Sequence, residues 1–109
     1  VNIVDIYAER PLQQHTVYCM AKAALAMMTQ SLAKELAPHV RVNAIAPGAI
    51  LWPDAGKSDK EKTAILANTP LQRAGSPEEI AEAARWLIQD ASYSTGQVIR
   101  VDGGRHLNL

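Results

Sequence analysis

Three short runs of strand character alternate with stretches long enough for helices, and this alternation leaves the chain few architectures. Residues 2–6 form the first run. The second, Val40-Arg41-Val42-Asn43-Ala44-Ile45-Ala46, alternates and ends at Pro47-Gly48. The third, Gln97-Val98-Ile99-Arg100-Val101, is closed by Asp102-Gly103-Gly104. Strands joined through helices need crossover connections, and these bring neighbouring strands parallel with a right-handed path. The expected class is α/β with a parallel sheet.

The intervening helices carry their own signals. From His15 to about Ala37 there is neither Pro nor Gly, and Pro38 stops the pattern. Met20, Ala24, Met28, Leu32 and Leu36 recur at i, i+4, with Ala21 and Leu25 beside them, which reads as the apolar face. Residues 58–68 suit a short helix. A further helix starts at Ser76-Pro77-Glu78-Glu79, with Ser76 as N-cap, Pro77 first in the helix and Glu79 completing a capping box. Its apolar face runs Ile80, Ala83, Ala84, Leu87 and Ile88. Residues 7–14 and 49–57 read as loops.

The 109 residues suffice for one small domain. A formal net charge of zero argues against nucleic acid and membrane as partners. The single cysteine, Cys19, excludes an intrachain disulfide framework, fits a reducing cytoplasm and reads as a structural thiol. No metal site is expected. No apolar stretch approaches the roughly 20 residues that span a bilayer, and no signal peptide opens the chain. Three strands are few for a parallel sheet, the first has an unpaired edge, and no Met precedes Val1. The chain is therefore expected to be the later part of something longer.

Tyr18 and Lys22 form a Y-x-x-x-K pair on the long helix, with Asp5 thirteen residues before the tyrosine. Residues at i and i+4 share a helix face, so phenol and ammonium can converge on one small molecule. A nearby cation favours the phenolate, which makes the tyrosine proton easier to donate. Taken alone, such a pair can equally be a packed tyrosine beside a solvated lysine.

Four segments together resemble the short-chain dehydrogenases/reductases. They are Tyr18-Cys19-Met20-Ala21-Lys22; 41–48 (RVNAIAPG); 73–81 (RAGSPEEIA); and 95–104 (TGQVIRVDGG), in that family's order and spacing. The resemblance implies the C-terminal half of a Rossmann-type, doubly wound parallel sheet spanning residues 1–109. Most members carry serine where this chain has Asp5. That aspartate, the stretch through Arg10-Pro11-Leu12 to Tyr18, and the ending 102–107 (DGGRHL) resemble the bacterial-type pteridine reductases.

This resemblance implies NADPH-dependent reduction of a dihydropterin to a tetrahydropterin, with Asp5, Tyr18 and Lys22 as the catalytic set. Lys22 would hold the nicotinamide ribose and keep the Tyr18 pKa down, while the backbone at Pro47, Gly48 and Ile50 would face the cofactor. Leu12, His15 and Trp52 would line the pterin pocket beside Asp5 and Tyr18, although His15 also suits a helix start and Trp52 a packing anchor. Asn43 reads as a structural strand-end residue. A homotetramer built on helix pairing is implied as well. The Gly-rich phosphate-binding turn has no counterpart in these residues, so the dinucleotide-binding half is expected to lie outside them, and this segment alone is expected to be inactive. Two other readings stay open: a generic carbonyl reductase such as a 3-oxoacyl thioester reductase, and a non-catalytic segment acting only in assembly.

Overall fold

A computed structural model describes residues 1–50 and 57–109. Three parallel strands, β1 (Asn2–Ile3), β2 (Ala44–Pro47) and β3 (Val98–Val101), form one sheet in the order β1-β2-β3. Helix α1 (Thr16–Leu36) connects β1 to β2, while α2 (Asp59–Ala67) and α3 (Pro77–Gln89) lie between β2 and β3. The expected α/β class with a parallel sheet is what the chain adopts.

Alternation along β2 divides the core between the two sheet faces. Ala44 and Ala46 join Val4 and Ile6 in one cluster, against which Leu25 and Ala26 of α1 pack. Ile45 points the other way, into a cluster with Leu87 and Ala91, backed by Ile80, Ala83 and Ala84 of α3. Each sheet face thus receives one helix, as parallel sheets require.

The first strand is shorter than residues 2–6. Asp5 turns the chain by accepting the Tyr7 N–H on its side chain, and a 3-10 turn follows at Ile6–Ala8 within the expected loop. The second strand also starts later than Val40. Asn43 holds the entry, donating from Nδ2 to the Ser94 carbonyl at 2.9 Å and accepting the Gln97 N–H on Oδ1 at 3.0 Å. The structural reading of Asn43 agrees with these bonds.

Helix α1 begins one residue after His15 and ends before Pro38, close to its sequence limits. Its buried face is not the expected stripe. Met20, Ala24, Met28 and Leu36 are exposed, whereas Leu25, Ala26, Thr29 and Ala33 turn inward. Apolar residues encircle this helix, so composition alone leaves its rotational phase open. A polar contact fixes it: the fully buried Thr29 Oγ1 accepts from Asn2 Nδ2 at 3.1 Å and donates to the Leu25 carbonyl at 2.9 Å. Helix α3 has the capping box read from Ser76 and Glu79, and α2 is capped by Ser58.

Candidate functional site

The site lies beyond the C-terminal ends of the parallel strands, where open α/β sheets place their crevices. β1 ends at Ile3, two residues before Asp5, β2 ends at Pro47 before Gly48, and the first turn of α1 presents Tyr18. Asp5, Leu12, His15, Tyr18 and Gly48 all line one cavity of about 380 Å³.

Tyr18 Oη donates to Asp5 Oδ2 at 2.5 Å. The other carboxylate oxygen accepts the Tyr7 N–H at 2.9 Å, so a backbone bond orients the carboxylate toward the phenol. The expected lowering of the Tyr18 pKa is not what this geometry gives. Burial pushes the phenol up, and the hydrogen bond to the Asp5 carboxylate and its charge push it further, because both favour the protonated form. Lys22 stands over the ring rather than beside the hydroxyl, with Nζ 5.9 Å from the centroid, and donates to the Ile3 carbonyl at 3.1 Å. Burial first and the Asp5 carboxylate second, not the ammonium, set the direction of the Tyr18 shift in this arrangement.

His15 donates from Nδ1 to the Gln13 carbonyl at 2.9 Å, which leaves Nε2 as an acceptor or a second donor. Its ring meets that of Tyr18 edge-on, with centroids 6.5 Å apart. Cys19 has a structural role: its sulfur accepts the Leu12 N–H at 3.4 Å and ties the preceding loop to α1.

The remaining expected site residues are distributed differently. Pro47 ends β2 opposite Val101. Ile50 lines a second cavity, of about 430 Å³, with Pro70, Arg73 and Gly75. Trp52 lies outside the described residues. Sequence reasoning did not single out Tyr7, Lys57, Ile65 or Arg105, yet all four line the cavity with Asp5 and Tyr18. The signal for Arg105 was its place directly after Asp102-Gly103-Gly104, at the C-terminal end of the last strand. Among the described residues there is no His, Cys, Asp and Glu cluster able to hold a metal.

The donor set suits the ribose end of a nicotinamide nucleotide. Lys22 uses one N–H on Ile3 and retains others for a diol. Gly48 and Ala49 line the cavity with Asp5 and Tyr18, whereas Lys22 is not among its lining residues and stands over the Tyr18 ring.

A family model described as Enoyl-(Acyl carrier protein) reductase matches residues 1–106. The chain belongs to the short-chain dehydrogenase/reductase family. Among curated members of this family, it is 45% identical over 106 residues to the 3-oxoacyl-(acyl-carrier-protein) reductase of Thermotoga maritima, covering 94% of this chain and 42% of that protein. A short-chain type dehydrogenase/reductase from Mycobacterium ulcerans has a similar solved structure, with a TM-score of 0.90 and 38% identity over 97% of this chain and 40% of that one. So does a 7α-hydroxysteroid dehydrogenase complexed with NADH and 7-oxo glycochenodeoxycholic acid, with a TM-score of 0.88, 37% identity and coverage of 94% and 42%. The chain spans 39 to 45% of the length of the curated short-chain dehydrogenase/reductase relatives it matches.

Proposed function

We propose that this chain carries the proton-delivery half of a nicotinamide-dependent oxidoreductase, and that its substrate is a dihydropterin reduced with NADPH. The observation that carries the reading is the 2.5 Å bond from Tyr18 to Asp5. A serine hydroxyl at position 5 would suit a carbonyl oxygen. A carboxylate both relays a proton and accepts from the amino-amide edge of a pterin ring.

A bound nicotinamide supplies the hydride. Tyr18 stays protonated at neutral pH and donates its phenolic proton toward the substrate nitrogen. Asp5 Oδ2, against the phenol oxygen, is positioned to return a proton from solvent to Tyr18. The Tyr7 N–H keeps Asp5 in that orientation, and Lys22 holds the ribose hydroxyls. Leu12 and His15 supply the apolar and aromatic wall for a flat ring.

The kinship with a 3-oxoacyl-(acyl-carrier-protein) reductase supports a second reading, reduction of a 3-oxoacyl thioester. Oxidation of NADPH by the full-length protein, offered a dihydropterin and a 3-oxoacyl thioester in separate assays, distinguishes the two. Turnover of the dihydropterin, lost in Asp5→Ala and Tyr18→Phe, supports pterin reduction. Turnover of the thioester alone rejects it.

A homotetramer built on α1 pairing belongs to the same proposal. Val17, Met20 and Met27 on α1 are 79%, 65% and 62% exposed, a face that a second copy would cover. The lone, unpaired Cys19 supports a cytoplasmic setting. No helix among the described residues is long and apolar enough to cross a membrane.

A further inference from the structure

The cavity that holds the acid–base pair also carries two cations, Arg105 and Lys57, from distant parts of the chain. Arg105 opens a 3-10 turn, Arg105–Asn108, once β3 has ended at Val101 and Asp102-Gly103-Gly104 have intervened. Asp102 fixes the start of that turn by accepting the Gly104 N–H at 3.0 Å and the His106 N–H at 2.8 Å. Asn108 ties its far end by donating to the Asn68 carbonyl at 2.9 Å.

The Arg105 guanidinium is itself held from two sides. It donates to the Ile65 carbonyl at 3.1 Å and to the Tyr7 hydroxyl at 3.2 Å, which orients its plane and leaves further N–H donors unspent. Other arginines nearby are neutralised: Arg73 pairs with Glu79, and Arg100 with Glu9. Among the described residues Arg105 has no ion-pair partner, and neither does Lys57. Asp5 is the one carboxylate among the cavity's described lining residues, and its oxygens are engaged by Tyr18 and Tyr7. A half-buried, oriented guanidinium with unspent donors suits a planar oxyanion.

We propose that Arg105 anchors a carboxylate of the substrate, so that the site selects molecules carrying an anionic arm outside the reducible group. This rests on the reading of the cavity as the substrate site. Lys57 adds charge as a flexible point cation, and Tyr7 is a positioning residue that holds the guanidinium in place.

The test separates the anchor from the pterin assignment by measuring binding without a pterin ring. Calorimetry on the full-length protein compares para-aminobenzoylglutamate with its dimethyl ester. Tighter binding of the diacid by about tenfold or more is expected, the scale of one charge-assisted hydrogen-bonded pair. That preference should shrink as salt is raised in the wild type, and fall severalfold in Arg105→Met, where Lys57 alone remains. Equal binding of acid and ester by the wild type, or a preference undiminished in Arg105→Met, overturns the proposal. The wild-type comparison stands even where the Met variant fails to fold. The kinetic counterpart uses dihydrofolate against dihydrobiopterin: Arg105→Met should raise KM for the charged member and leave that for the neutral one. Diacid preference in the binding assay, with no turnover of either dihydropterin, keeps the anchor and rejects the pterin reading.

Discussion

Gly48 packs so closely against Asp102 that a side chain at position 48 would place its Cβ 2.7 Å from the Asp102 Cβ and 2.8 Å from its Cα. The demand for glycine after Pro47 therefore comes from the end of β3, in addition to any ligand that approaches the turn. Because the clash involves backbone, the neighbour cannot rotate away. Gly48→Ala should cost about 1–3 kcal/mol, the usual range for overpacking a close-packed contact. Chemical denaturation would read it, with Ala49→Gly as a control for the turn.

The Asp102 carboxyl should be visible in the acid limb of the stability curve. Burial pushes it up, but hydrogen bonds from the His106 N–H and imidazole and from the Gly104 N–H prevail and hold it below the ordinary value of 3.8. A depressed carboxyl stabilises the fold above its unfolded pKa and loses that contribution as pH falls through the folded one. His106→Ala removes the imidazole donor, so the acid unfolding midpoint should move to higher pH. An unchanged midpoint would mean the backbone donors suffice.

Arg41 closes the end of α3. Its guanidinium donates to the carbonyls of Leu87 at 2.7 Å and Ile88 at 3.1 Å, last-turn groups that the helix itself leaves without partners, and to the Ala91 carbonyl just beyond the helix at 2.9 Å, which also accepts the Ser94 N–H. Arg41→Met should destabilise the fold by about 2 kcal/mol, the scale of hydrogen bonds to a charged group. The urea midpoint should fall, with the active-site residues untouched.

Tyr18 should keep its proton well past the ordinary phenol value of 10.0. The folded chain then holds a proton that the unfolded chain releases, so stability declines as pH rises above that value. Asp5→Asn removes the carboxylate while leaving burial in place, and should bring the Tyr18 ionisation part of the way down. Ultraviolet difference titration of wild type and variant would follow it.

Local chemistry was the legible part of this sequence. The capping box at Ser76 and Glu79 and the stop at Pro38 are set by residues within one turn of each other, so they could be read directly. The parallel sheet followed from the alternation of strands and helices. The phase of α1 did not, because Ala, Met and Leu surround the helix and the deciding bond, Asn2 to Thr29, joins residues 27 positions apart. The end of β1 was misread because Asp5 serves its own neighbourhood, capping a turn, as well as Tyr18. In the candidate site the spacing of Asp5, Tyr18 and Lys22 pointed to a common location, but not to which partner would govern the phenol. Arg105 had a signal in its place after Asp102-Gly103-Gly104, but its reach into the cavity depends on the turn after β3.

Under the proposed function, the carboxylate at position 5 adapts the family's site to a pterin. The most direct measurement is kcat/KM of the full-length protein and its Asp5→Ser variant on a dihydropterin and on a 3-oxoacyl thioester. Loss of a general acid–base group predicts a fall of about a hundredfold or more on the dihydropterin, with the thioester rate held or raised. A variant that reduces the dihydropterin as well as the wild type does would contradict a catalytic role for the Asp5 carboxylate.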